Sequence, residues 1–330
     1  MLAVVVREFG GPDRLLLEER SDPRPGPGDI VVAISAVGVN RADVLARAGR
    51  YHRAGPPPLL LGLEGAGTVI AVGKEVHGLA VGQHVVAWGA TNDPGFYAER
   101  VVVPAHHAQP IPDGVELGAA AALPTAWLSA WYCLRRLADV QAGEVVLVHA
   151  AASGVGSAAV QIARDAGATV IATAGSAVKA DWARGLGAIH AFDTSALSRR
   201  QIIEGVVRLS EGKGADVVLD TVGGETFADS LQAIAYGGRL VALANVALEP
   251  STIDTRDFYP KNVRILGFQI TSLMEHGYDP RADLAELLAA LATDRFAVPI
   301  ANTFPLPRAA EAHAYLEQRA NRGKVLLTVD

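Results

Sequence analysis

The sequence predicts an α/β protein of two domains, an all-β domain and a doubly wound parallel-sheet domain inserted into it. Three observations carry that prediction. At 330 residues the chain exceeds what one ordinary hydrophobic core serves, so two cores are expected. The N-terminal third consists of short runs rich in Val and Ile, punctuated by Gly and Pro. From about residue 117 β-prone runs alternate with helical ones, the signature of a parallel sheet covered on both faces.

In chain order, MLAVVV, DIVVAISAVGV, GTVIAV, HVVAW and AERVVV read as strands of the first domain. ELGAAAALPTAWLSAWYCLRRL reads as helical. The alternation follows: EVVLVHA, SAAVQIARDAG, TVIATAG, VKADWARGLG, ADVVLDTVGG, FADSLQAIAYGG, RLVALAN and RILGFQI. After residue 275 come a helix in ADLAELLAALAT, a β-like stretch in VPIANTFPL, a helix in PRAAEAHAYLEQRA and a strand in KVLLTV. This tail is too short for a domain of its own and is expected to complete the first. The boundaries are therefore 1–122 with 275–330 for the β domain, and 123–274 for the parallel-sheet domain.

Half of the residues are hydrophobic and 19% are charged, which excludes a disordered chain. A net charge of -6, with 24 Arg and 5 Lys and no long basic run, argues against a nucleic-acid partner, whose phosphates require a positive surface. The single cysteine, Cys133, excludes an intrachain disulfide and a cysteine-rich zinc site. MLAVVVREFG is too short in its apolar part for a signal peptide or membrane helix, and no uninterrupted 18-residue apolar span occurs elsewhere. A cytoplasmic protein without membrane partners is expected.

The chemistry is most legible in HAAASGVGSAAVQIARDAGATVIATAGSAVK, residues 149–179, which reads as strand, small-residue turn, helix and strand. Such a turn lets backbone N–H groups approach a pyrophosphate at a helix N-terminus. The strict G-x-G-x-x-G spacing is not met: Ala151, Ser153 and Gly156 hold its places, with Gly154 and Val155 between them. A tight turn that binds nothing is the alternative. The end of the second strand discriminates. An NAD site carries an acid there for the ribose 2′-OH, whereas this chain has Gly175 and Ser176, with Lys179 one turn on. A hydroxyl and a cation without a carboxylate suit a 2′-phosphate, so NADPH is expected over NADH; a solvated helix residue is the alternative for Lys179. The parallel-sheet domain is accordingly of Rossmann type.

FGGPDRLLLEE, VGVNRADVLARAGRY, LGLEGAGTVIAVG, GAAAALPTAWLSAW, HAAASGVGSAAVQIA, DTVGG and EAHAYLEQRANRGKVLL run nearly end to end. Through them the chain resembles the medium-chain dehydrogenase/reductase superfamily, and within it the zinc-independent quinone oxidoreductase (zeta-crystallin-like) branch. The resemblance implies a GroES-like β domain beside the Rossmann-type domain, an active site in the cleft between them, and a homodimer paired through RILGFQI, with a tetramer as the alternative. Where zinc alcohol dehydrogenases carry ligands, this chain has Asn40 and Leu63, neither able to supply a thiolate or imidazole.

Carried over position by position, the resemblance puts Asn40 and Tyr51 at the nicotinamide and substrate, each as a hydrogen-bond donor; a helix N-cap and a loop anchor are their alternatives. It puts Ser129 near the nicotinamide ribose, and Thr194 where the family has a tyrosine on the 2′-phosphate. Leu243, Asn245, Phe268 and Ile270 match strand ends whose backbone holds the carboxamide, and Arg319 a basic residue near the phosphates. The family's second substrate-side tyrosine is Leu45 here, which makes the pocket less polar. Adjacent His106 and His107 make a poor metal pair, and Asp220 reads as a turn cap rather than a catalytic group. The implied activity is NADPH-dependent, zinc-independent reduction of a quinone. Reduction of an activated carbon–carbon double bond (enal, enone or acrylate) is the enzymatic alternative, and a non-catalytic nucleotide- or RNA-binding protein the alternative of another class.

Overall fold

A computed structural model describes residues 1–89 and 95–329. The chain forms two compact units, one comprising Met1–Leu128 and Tyr278–Asp330, the other Ser129–Gly277. In the first unit the strands are β1 (Leu2–Val6), β2 (Leu15–Glu19) and β3 (Asp29–Val39). Helix α1 (Arg41–Arg47) leads to β4 (Leu59–Leu60), β5 (Glu64–Val72), β6 (His84–Trp88), β7 (Arg100–Pro104) and β8 (Ala108–Pro110). β3 is buried along nearly its whole length and organises the unit, pairing with β5 and β7 as its apolar residues enter the core.

The stretch expected as one helix is broken. Helix α2 (Leu117–Ala121) gives way to a wide π-type turn over Leu123–Trp127, then α3 (Leu128–Trp131) and a second π-type turn over Tyr132–Leu137. Pro124 is the reason for the first break: it has no N–H to continue the α-helical ladder.

In the second unit β9 (Val145–Val148), α4 (Gly154–Asp165), β10 (Thr169–Ala174), α5 (Ala177–Gly185) and β11 (His190–Asp193) alternate. They continue as α6 (Arg199–Leu209), β12 (Ala215–Asp220), α7 (Glu225–Ala233), β13 (Ile234–Ala242), β14 (Arg264–Gly267) and α8 (Ile270–Glu275). The six strands are all parallel, in the order β11-β10-β9-β12-β13-β14, so the order in which strands are added switches sides between β9 and β12. Runs such as VVLV and VVL are continuous rather than alternating because helices cover both faces. RILGFQI is only partly a strand: β14 stops at Gly267, and Ile270 opens α8.

The chain then returns to the first unit as α9 (Arg281–Ala292), β15 (Ile300–Pro305), α10 (Ala309–Glu317) and β16 (Lys324–Thr328). β16 adds to β3 in antiparallel register, Val325 opposite Val39, and carries β15 on its other side. The returning segment thereby extends the seven-stranded sheet built on β3, while β1 lies in a separate three-stranded sheet with β2 and β4.

Candidate functional site

In the second unit, β9 runs through His149 into the small-residue turn, where Ala150 has a positive φ of 49°. Gly156 is required here by close approach: a Cβ would stand 2.3 Å from the Ala150 carbonyl oxygen. Ser153 caps α4, its hydroxyl accepting the Gly156 N–H at 2.9 Å. The N–H groups of Gly154 and Val155 have no partner among the described residues. They sit at the N-terminus of a helix rising from the carboxyl end of a switch-point strand, which fits a dinucleotide pyrophosphate.

The next strand end adds the second half. Gly175 is exposed with open space around it, and Ser176 caps α5 by accepting the Lys179 N–H at 3.3 Å. Thr194 is brought beside them from β11, its backbone N–H and its hydroxyl both donating to the Ala174 carbonyl. Gly175, Ser176, Lys179 and Thr194 thus share one edge of the sheet, and the strand-end positions 175 and 176 carry no carboxylate.

The remaining predicted residues of this unit are placed as follows. Ser129 is buried in α3. Leu243 leaves β13 with its N–H on the Asp220 carbonyl, and exposed Asn245 folds its own turn, donating to Glu249 O and accepting from Leu248 N. Phe268 has its N–H committed to the Ala242 carbonyl and its ring 5.6 Å from Tyr132. Ile270 lies in the first turn of α8, so it is a helix start and not the strand end expected.

Below this edge is a buried polar cluster that the sequence reading missed. His149 Nε2 lies 3.0 Å from Ser230 Oγ and Nδ1 3.0 Å from Thr173 Oγ1. Ser230 gives its own proton to the Thr226 carbonyl, so it can only accept from His149; Nε2 carries the hydrogen and Nδ1 accepts from Thr173. Burial holds the His149 pKa down despite Asp220, keeping the ring neutral. Asp220 caps a turn as expected, one oxygen accepting from Val222 N and Gly223 N, while its other oxygen is buried without a partner among the described residues.

In the first unit, Asn40 occupies the N-cap position of α1, and Asp43 accepts its backbone N–H at 2.8 Å. Its side chain is almost wholly buried and engaged. Nδ2 donates to the Gly38 carbonyl (3.2 Å) and to Glu64 Oε1 (2.8 Å), while Oδ1 accepts from Lys324 Nζ at 2.5 Å. The amide orientation is forced, because an ammonium only donates and a carboxylate only accepts. Both amide protons being committed, Asn40 is left with acceptor capacity, where the sequence reading expected a donor. Lys324 Nζ also reaches Glu64 Oε1 at 2.5 Å, and the second Glu64 oxygen takes the Thr125 N–H at 2.7 Å.

A second chain of contacts leads away from Asp43. It is hydrogen-bonded to the buried Tyr97 hydroxyl, which lies 2.9 Å from His313 Nε2; His313 Nδ1 meets Arg47, and Arg47 pairs with Glu317 at the surface. Burial pushes Asp43 up to about 7 against the N–H groups of Asn40 and Gly62 that favour its charged form. Burial, aided by Arg47, pushes His313 down to about 3. Tyr51 lies in the loop after α1, half-buried against the core with its ring edge on His52. Arg319 follows α10, exposed and in left-handed backbone conformation. Leu63 is buried. Among the described residues no group of three His, Cys, Asp or Glu is arranged to hold a metal. Glu64, Lys324, Asp43 and His313 are not singled out by the sequence; for Glu64 and Lys324 the available signal is a charged residue standing at the start of an otherwise apolar strand.

Comparison with known proteins fits these features. Residues 26–113 match the alcohol dehydrogenase GroES-like domain, and residues 154–293 match the zinc-binding dehydrogenase family. A 2-haloacrylate reductase of a Burkholderia species is 33% identical over 99% of this chain and 98% of its own length. A quinone oxidoreductase of Pseudomonas aeruginosa is 34% identical, covering 97% of each. The chain belongs to the medium-chain dehydrogenase/reductase superfamily, in its quinone oxidoreductase-like branch. The structure of Escherichia coli quinone oxidoreductase complexed with NADPH superposes with a TM-score of 0.90 at 28% identity, over 99% of this chain and 100% of that one. A mycocerosic acid synthase-like polyketide synthase of Mycobacterium tuberculosis is 34% identical over 92% of this chain, which spans 14% of that protein's length. The full-length relatives are named as oxidoreductases, and the Escherichia coli structure holds NADPH.

Proposed function

We propose that this protein is an NADPH-dependent, zinc-independent quinone oxidoreductase. The observation that carries the reading is the pairing of the two unpartnered N–H groups at the start of α4 with an acid-free strand end presenting Ser176 and Lys179. In this reading Gly154 and Val155 bind the pyrophosphate, and Ser176, Lys179 and Thr194 the 2′-phosphate. Ser129, Leu243, Asn245, Phe268, Ile270 and Arg319 line the rest of the cofactor. When bound, NADPH supplies a hydride.

The acceptor that suits such a protein is already electrophilic, since Asn40 and Leu63 replace the ligands that a Lewis-acid zinc would need. A quinone spreads the incoming charge onto oxygen, and the protein's task is to orient the partners and exclude water. Tyr51 donates through its phenol, while Asn40 accepts from a hydroxyl or amide N–H of the bound molecule. The second reading, reduction of an alkene conjugated to a carbonyl, is favoured by the end-to-end similarity to a 2-haloacrylate reductase and by Leu45, which makes the pocket less polar. β14 is an edge strand with Ile265 exposed, and we assign it to a homodimer interface in a reducing, cytoplasmic setting.

The test is NADPH oxidation followed by absorbance, with para- and ortho-quinones beside enones, in EDTA, with NADH as control. Quinone turnover undiminished by EDTA supports the proposal. Turnover confined to enones moves the substrate, and tight NADPH binding without any turnover overturns the enzymatic reading.

A further inference from the structure

Lys324 and Glu64 are an ion pair in the interior, with side chains 4% and 0% exposed. Such a pair adds little to stability over an apolar pair of the same shape, because desolvating two ions offsets their attraction. Its retention calls for another reason, and the geometry supplies one. Asn40, Glu64 and Lys324 form a closed triangle in which each side chain hydrogen-bonds to the other two. The three come from the end of β3, the start of β5 and the start of β16, and the last is 260 residues from Glu64. The triangle is itself pinned. The Thr125 N–H holds the second Glu64 oxygen, and Gly38 leaves room for the carboxylate, since a Cβ there would stand 2.3 Å from Glu64 Oε1.

We propose that Lys324 and Glu64 are positioning residues that lock the Asn40 amide in one orientation, with its oxygen presented as an acceptor. The proposal rests on the reading of Asn40 as a site residue. Without the ammonium the oxygen loses its fixed donor, and without the carboxylate one amide proton loses its fixed acceptor. Either loss frees the amide to rotate and present the wrong group to the bound molecule.

The decisive experiment is a cycle between Asn40→Ala and the neutral replacement Lys324→Met/Glu64→Gln, which removes both charges together and leaves no unpaired ion. The readouts are the NADPH Kd by fluorescence, kcat and KM with an acceptor that is turned over, and Tm. In the wild-type background the neutral replacement should weaken NADPH binding or lower kcat/KM by about tenfold or more. In the Asn40→Ala background it should cost less than about twofold, with the same change in Tm in both. Equal losses in the two backgrounds would overturn the proposal. Wild-type behaviour of Asn40→Ala alone would instead overturn the reading of Asn40 on which it rests. A measurement that needs no variant of the pair guards against misfolding: in 15N spectra the Asn40 side-chain amide, identified by its loss in Asn40→Ala, should exchange at least tenfold more slowly than the exposed Asn245 amide. Exchange as fast as that of Asn245 would also overturn the lock.

Discussion

The two units bury polar groups in opposite ways. In the second, His149, Thr173 and Ser230 make a neutral cluster beneath the carboxyl end of the sheet. In the first, the ionisable side chains of Lys324, Glu64, Asp43 and Arg47 are buried and linked through Asn40, Tyr97 and His313. The imidazole uses both nitrogens, one on Thr173 from the adjacent strand and one on Ser230 from helix α7. Buried ions need opposite ions, and here these meet across the chain, Lys324 of β16 with Glu64 of β5 and Arg47 of α1 with Glu317 of α10. The lesson is that the buried charges of the first unit meet across 260 and 270 residues of chain, whereas the neutral cluster of the second closes within 81.

The largest expected effect tests that dependence. Lys324→Met alone leaves Glu64 buried without its counter-ion and should cost about 3–5 kcal/mol in denaturant unfolding, whereas adding Glu64→Gln should recover much of it. A loss no greater than that of an ordinary surface substitution would remove the contrast between the units.

Acid sensitivity sharpens it. His313 titrates at about 3 in the folded chain, below its unfolded value near 6.5. Its contribution is therefore present above 6.5 and is lost as pH falls toward 3. Asp43, raised to about 7, has the opposite sign, its contribution being lost as pH rises from its unfolded value toward 7. The stability advantage of wild type over His313→Gln should grow as pH rises from 4 to 6.5, by at most about 1.4 kcal/mol per unit. A constant difference would mean that His313 is protonated in the fold.

Two smaller effects belong to the second unit. Lys179→Ala should weaken NADPH by about 10- to 150-fold, roughly 1.5–3 kcal/mol, and leave NADH nearly unchanged in titrations of both cofactors. An equal loss for both would separate Lys179 from the 2′-phosphate. Ser153→Ala removes the cap of α4 and should lower stability by about 1 kcal/mol in thermal unfolding. An unchanged Tm would show that the turn is held by Gly156 and its neighbours alone.

What was legible in the sequence was what short-range physics writes into it. The alternation of apolar runs gave both units, and the turn at residues 149–156 gave the helix start with its free N–H groups. Pro124 was visible in the sequence, yet the broken helix around it was not foreseen, because the long Ala-rich run suggested continuity. RILGFQI was overextended for a related reason: Phe268 and Gln269 have strand-like neighbours, but the ladder ends at Gly267 and Gln269 caps the next helix. The direction of the Asn40 amide was illegible, since it is set by Glu64 and Lys324.

By itself, then, the sequence determined the local devices of this protein: the small-residue turn, the acid-free strand end and the alternation of strands and helices in its second unit. Only the tertiary structure decided which partners fix the Asn40 amide, and that a lysine in the last strand meets a glutamate in the fifth. The reason is physical. A cap or turn is satisfied within a few residues, whereas a buried charge takes its partner from whichever segment the folded sheet brings within 3 Å, and sequence distance carries no record of that meeting.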